Sequence, residues 1–296
     1  MHFSDAATAQ IVTIATNIFK KKDRLVIINK QYILLAVSSL LAFGCGDSGN
    51  VKLSVDFSKR AEWRYAMAAT ISGAIASADT QRTFESAAQC TLSGKPDAKN
   101  PSVLHASVAA VSISSNILGD AEMKNLKNQA TTVRLACALD DGTIMPEDSS
   151  SIPVVRIGEW DLYKDLAKTV PSLPKIAIRP GFVWERQADI PLDTKQGNAV
   201  GHLFQSFSLD SVRGKSGSVQ TAFLSWRFTY RVEFKERSAT GMYGSVPSAG
   251  IGSGKAIVDV TNKMLRSASV HFDVPAATQG MYRISWKEDI TLDLVK

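Results

Sequence analysis

Cysteine and histidine are scarce in this chain of 296 residues, which holds three of the first and four of the second. No two cysteines form a C-x-x-C pair. His105, His202 and His271 each stand alone in a strand-like run with no second ligand two or four residues away. Neither a zinc centre nor a thioredoxin-type redox site is therefore indicated, and no metal or cofactor is expected. No apolar run reaches the roughly 20 residues that a helix needs to cross a bilayer. No Gly-x-Ser-x-Gly elbow occurs either. A catalytic triad could assemble from distant positions, but nothing in the sequence gathers one, and the expectation is a protein that is not an enzyme.

Concentrated basic charge is missing as well. The formal net charge is +6, but Lys20, Lys21, Lys22, Arg24 and Lys30 against Asp5 and Asp23 put half of it in residues 1–44. The remaining +3 is spread over the body with no run of four basic residues. Nucleic-acid binding needs a basic face dense enough to displace counterions, so that partner is not expected. With 45% apolar and 21% charged residues, the composition is that of a folded globular protein.

The leader is the most specific feature. Tyr32 to Gly44 reads YILLAVSSLLAFG, thirteen uncharged residues that follow a basic flank. That length is short for a span and right for the apolar core of an export signal, with the basic flank held in the cytoplasm. A buried helix would show a polar face, and here only Ser38 and Ser39 interrupt. Leu41-Ala42-Phe43-Gly44-Cys45 resembles the bacterial lipobox, with Gly44 at the residue before the cut and Cys45 at the position that takes the lipid. Ala42 and Phe43 depart from the usual pattern. The resemblance implies a signal peptide over 1–44, overlong for such a leader, with a start near Leu25 as the alternative, and an acylated Cys45 as membrane anchor. A tether over 45–59 follows, opening with the flexible Gly-Asp-Ser-Gly-Asn at 46–50. Gly46 is not the aspartate that retains many such proteins at the inner membrane, which implies the outer membrane.

Cys90 and Cys137 are then an even pair in an exported body. Each lies on the apolar parity of its run, Phe84-Ala88-Cys90-Leu92 and Val133-Leu135-Cys137-Leu139. Export makes a disulfide between them available, and that is the favoured expectation. Two reduced, buried cysteines are the alternative.

Period-two alternation dominates the rest. Ala222, Leu224, Trp226, Phe228, Tyr230, Val232 and Phe234 alternate with polar residues, as do Tyr282, Ile284, Trp286, Ile290, Leu292 and Leu294. Two further runs flank Thr261-Asn262-Lys263, which reads as a hairpin turn. Trp63 to Ile75 repeats the theme, the two cysteine runs continue it, and 102–115 is ambiguous. Helical stripes fall at 120–130 and at 159–170, the second ended by Pro171 and Pro174. The expected fold is mainly β: about ten antiparallel strands as a curled sheet, half-barrel or sandwich with one or two short helices. The strands form one meander in 60–177 and a second in 178–296. The second half also resembles a family of bacterial lipoproteins classed as a domain of unknown function, through Pro180-Gly181-Phe182-Val183-Trp184, the turn at Gly250 to Gly254, and Asp259-Val260. That resemblance implies an envelope β protein and brings no catalytic residues.

Three constellations remain. Gly250-Ile-Gly-Ser-Gly-Lys255 lacks the first glycine, the hydroxyl residue and the helix of a phosphate loop, and reads as a glycine hairpin or bulge. Asp140-Asp141-Gly142 reads as a turn, and Glu185 and Asp189 as solvated. Glu288 breaks the apolar parity between Trp286 and Ile290; it is either an inward carboxylate that must be paired or protonated, or a bulge or edge residue near solvent. Trp226, Phe228, Tyr282 and Trp286 could line a face for an apolar ligand. The sequence thus points to an anchored binding or carrier protein for a hydrophobic ligand. The alternative is a structural or interaction lipoprotein whose aromatics simply fill a core.

Overall fold

The computed structural model divides into two units, 1–46 and 47–296. It describes residues 49–116, 118–121, 123–125, 134–147, 156–157, 160–194, 197–214, 218–234, 249–279 and 282–295. The leader and Cys45 lie outside the described residues. No described helix is long and apolar enough to cross a membrane.

The body is mainly β. Its strands are β1 (Trp63–Ala76), β2 (Gln81–Pro96), β3 (Val103–Ser115), β4 (Arg134–Ala138), β5 (Ile144–Pro146), β6 (Arg156–Ile157), β7 (Trp160–Asp161), β8 (Val183–Thr194), β9 (Gly197–Arg213), β10 (Thr221–Phe234), β11 (Gly250–Asp259), β12 (Met264–Gln279) and β13 (Tyr282–Leu294). Eleven of them form one unclosed antiparallel sheet in the order β5-β4-β3-β2-β1-β13-β12-β11-β10-β9-β8, and β6 and β7 form a separate ribbon. The ambiguous stretch at 102–115 is a strand. The two expected meanders are halves of this one sheet, because β1 pairs with β13 from Tyr65↔Leu294 to Ala76↔Arg283.

Alternation decides which face is buried. Trp63, Tyr65, Met67, Ala69 and Ile71 on β1 face the same core as Leu224, Trp226, Phe228 and Tyr230 on β10, with polar residues on the outer face. The sheet curls about that core. Leu92, Leu104, Cys137, Leu265 and Leu292, from five strands, line one cavity of about 20 Å³, and Arg186 of the edge strand β8 lies against Gly142 in the β4–β5 turn.

Glycines make the inner layer thin enough to curl. Gly250, Gly252 and Gly254 occupy inward positions of β11, where a Cβ would overlap the rings of Phe272, Phe228 and Trp226 respectively. The run expected as a hairpin or bulge is therefore the first half of a regular strand. Its missing side chains leave room for aromatics from both neighbours. The hairpin expected at Thr261-Asn262-Lys263 joins β11 to β12, with Lys263 at φ 53 and Asp259 accepting from the Asn262 amide at 2.9 Å.

The connection from β5 to β8 must run from one sheet edge to the other. It carries α1 (Leu162–Thr169), which packs on the central strands β12 and β13. Seven of its eight residues are buried, so the helix is enclosed rather than lying on a surface. Pro171 and Pro174 end it as expected. Of the helix expected at 120–130, residues 120–121 and 123–125 are helical and 126–130 lie outside the described residues. The tether expected to reach residue 59 is shorter: Val51, Leu53, Val55 and Phe57 alternate into the core, and Val51 bridges Ile178.

Candidate functional site

Cross-strand register builds a single row on the inner face. Ile71, Glu288, Phe272, Gly252, Phe228, Gln205 and Arg186 follow one another across β1, β13, β12, β11, β10, β9 and β8. Phe272 and Phe228 stack at 5.6 Å between centroids and 13° between planes, above the space left by Gly252. The row is therefore an aromatic floor with a carboxylate at one end and an amide at the other.

Glu288 settles the question left open by its parity. The β13 register runs unbroken past it on the β1 side, and β13 is central, so neither a bulge nor an edge explains an acid here. Its side chain is 1% exposed and pairs with Lys168 of α1, which is 0% exposed. Lys168 Nζ also lies 2.9 Å from Asp165 Oδ1, itself fully buried, and 4.7 Å from the Phe272 ring centroid. Gln205 donates to the Lys168 carbonyl at 3.3 Å and accepts from Arg186 at 3.1 Å. Both ends of the floor thus hold the same residue of α1, one by its ammonium and the other by its backbone.

Two carboxyls and one ammonium share this dry space. Burial pushes Asp165 well above its ordinary value, and the neighbouring charge of Glu288 adds to the rise, outweighing Lys168 and Lys164. Burial also pushes Glu288 up, but Lys168, Lys164 and hydrogen bonds from Lys168 and Asp165 outweigh it, and Glu288 sits below its ordinary value. The surroundings therefore set the two carboxyls apart, favouring a proton on Asp165 and the ionised form of Glu288 beside Lys168. With both carboxyls ionised, Asp165 Oδ2 and Glu288 Oε1 would have no donor; a proton on Asp165 supplies one to Glu288.

The expected ligand-face residues are placed as follows. Trp226, Phe228 and Trp286 are on the inner face and 2–4% exposed, filling the core. Trp226 Nε1 meets no acceptor among the described residues. The side chain of Tyr282 lies outside the described residues. Among the described residues, the apolar cavity of about 20 Å³ lined by Leu92, Leu104, Cys137, Leu265 and Leu292 has room for little more than one water.

The expected bridge between Cys90 and Cys137 is not made. Both are free, buried thiols, and burial pushes each up to about 12. Cys137 pairs with Leu104 on β3, and Leu104 pairs with Pro96 on β2, six residues along from Cys90. At about 3.3 Å per residue that offset alone is roughly 20 Å, far beyond the reach of a disulfide. Apolar cysteines sharing a face do not thereby share a level, and the sequence contains no sign of the register.

The three histidines sit on the outer side, each against carboxylates. His105 meets Asp97 at 2.9 Å and Glu147 at 3.1 Å, His202 meets Asp189 at 2.8 Å and Glu233 at 3.3 Å, and His271 meets Asp289 at 2.8 Å. Among the described residues, no group of three or more His, Cys, Asp or Glu is placed to hold a metal. Glu185 and Asp189 are exposed on β8, as expected. Asp165, Lys168 and Gln205 were not foreseen. An amphipathic reading of α1 assigns Asp165 and Lys168 to solvent, and only the inward acid Glu288 signalled that a buried partner must exist.

The motif Pro180-Gly181-Phe182-Val183-Trp184 opens β8. Gly181 takes φ 86, Trp184 stacks on Phe207 at 5.4 Å, and its indole donates to the Ser172 carbonyl at 3.1 Å, fixing the exit from α1. The sequence matches no protein-family model and no curated protein. Among solved structures it aligns with OccK2 (OpdF) of Pseudomonas aeruginosa at 6% identity, over 81% of this chain and 99% of that one, with a TM-score of 0.20. A domain assigned to an outer membrane lipoprotein-sorting protein of Vibrio parahaemolyticus aligns at 9% identity, over 78% and 84%, with a TM-score of 0.16. A DUF1329 family protein from Desulfovibrio piger aligns at 8% identity, over 79% and 84%, with a TM-score of 0.13. TM-scores this low do not define a common fold, and the reading below rests on the chain's own geometry.

Proposed function

We propose that this is a bacterial envelope protein, anchored to the outer membrane by a lipid on Cys45, that binds or carries a hydrophobic ligand without catalysis. One observation carries the proposal. The inner face of a curled, unclosed sheet is occupied by a short, enclosed helix whose Lys168 reaches both ends of the aromatic floor through polar groups, its ammonium to Glu288 and its carbonyl to Gln205. Burying ions costs several kcal/mol each, so the apolar contacts of α1 are opposed by charges that a purely apolar helix would not carry.

The magnitudes allow exchange. Leu162, Tyr163, Leu166 and Val170 are fully buried, and at about 1.5–3 kcal/mol each they hold α1 by roughly 6–12 kcal/mol before the ionic cost is subtracted. A sixteen-carbon acyl chain laid on the same face would gain about 12 kcal/mol. An eight-residue helix, about 12 Å long and 10 Å wide, vacates on the order of 1,000 Å³, the upper range of ligand pockets.

The burial of Trp226, Phe228 and Trp286, each 2–4% exposed, supports a second reading, a structural or interaction protein. Native mass spectrometry of the full chain isolated from bacterial envelopes separates the two. The carrier reading expects a bound apolar molecule in stoichiometric amount or saturable uptake of a fluorescent fatty-acid analogue. Neither bound lipid nor uptake would leave the structural reading.

A further inference from the structure

If α1 is displaced, the sheet keeps Glu288 and loses everything that satisfies it. Lys168 and Asp165 both belong to α1, whereas Glu288 is fixed on a central strand beside Phe272. A lone ionised carboxylate on an apolar face is strongly unfavourable. Whatever replaces α1 must therefore leave Glu288 protonated or bring a cation with N–H donors to that point, and a cation is what Lys168 supplies there now.

Resting on the carrier reading above, we infer that Glu288 and Phe272 form an ammonium-binding site on the sheet, that Lys168 occupies it as a built-in ligand, and that the true ligand is an amphiphile with a primary ammonium headgroup and an apolar chain. Lys168 has the form of such a ligand: a four-carbon apolar stem ending in an ammonium. Its Nζ stands over the Phe272 ring at 4.7 Å and pairs with Glu288. An aromatic face and a carboxylate together select ammonium over a neutral or anionic head. The chain would then run over the Phe272–Phe228 stack toward Gln205, along the path α1 now covers. An anionic headgroup at this end of the row would stand against the Glu288 carboxylate, which disfavours it there.

The test is a chain-matched headgroup series on the purified full chain: dodecylamine, dodecanol and dodecanoate, with binding measured by calorimetry. Dodecylamine should bind about tenfold or more tighter than the other two, the equivalent of one hydrogen bond to a charged group. Glu288→Gln should abolish that preference, and Phe272→Leu, which leaves the carboxylate in place, should weaken it; circular dichroism checks that both variants are folded. Because the wild-type series stands alone, a variant that fails to fold does not decide the matter. Equal binding of the three probes overturns the ammonium site while leaving the carrier reading intact. Binding of none overturns the carrier reading itself. Lysophosphatidylethanolamine in a further arm assigns the ammonium to a lipid headgroup if it binds like dodecylamine, and to a simple amine if it does not; either result keeps the site.

Discussion

Lys168 of α1 and Glu288 of β13, 120 residues apart in sequence, meet as an ion pair with side-chain exposures of 0% and 1%. Such a pair contributes little net stability, yet losing one partner is severe, because the other is left charged and dry. Lys168→Met should therefore cost about 3–5 kcal/mol in urea denaturation, and the double variant Lys168→Met/Glu288→Leu should recover most of that loss. A single variant as stable as wild type would mean that water reaches the cluster.

The same cluster gives stability a pH dependence of defined sign. Asp165 sits well above its ordinary 3.8 when folded, so its contribution is full below that value and is lost as pH rises through the raised one. Glu288 sits below its ordinary 4.5, so its contribution is present above that value and lost as pH falls through the lowered one. Urea midpoints across the pH range should decline on both flanks. Asp165→Asn should flatten the decline that begins above pH 3.8, while the acid flank and the further decline above pH 9 that the buried Cys90 and Cys137 thiols bring remain; an unchanged decline between those values would place the proton elsewhere.

Cys90 and Cys137 are buried thiols pushed up to about 12. They should resist iodoacetamide in the native protein and react only as it unfolds in urea. The melting temperature should be the same with and without reductant. A drop on reduction would reinstate the disulfide.

At Gly254 a Cβ would overlap Trp226, whereas Ser253 on the opposite face is exposed. Gly254→Val should cost about 1–3 kcal/mol or more, and Ser253→Val within about 0.5 kcal/mol of zero, by thermal denaturation. Equal effects would show that the aromatic rings are not seated on the glycine strand.

The strands were legible because one wet face and one dry face write themselves as period two, as in Ala222 to Phe234. The helix at α1 was legible from its stripe and its prolines. What joined them was not. The pairing of Tyr65 with Leu294 spans most of the chain and leaves no local mark, so one sheet read as two meanders. Gly250 to Gly254 read as a turn because a glycine's partner ring lies on another strand. Glu288 was visible as an anomaly of parity, but Asp165 and Lys168 looked like the solvated side of an amphipathic helix. Only the enclosure of α1 by the sheet turns them inward.

The central claim is that α1 leaves the inner face as a unit while the sheet stays intact. Hydrogen–deuterium exchange of the amides of 162–169 against those of β12 and β13, with and without dodecylamine, tests it most directly. The account predicts that α1 exchanges through an opening well below the energy of global unfolding, and that the amine speeds exchange in α1 while the strands remain protected. Exchange of α1 only together with the strands, unchanged by the amine, would contradict it.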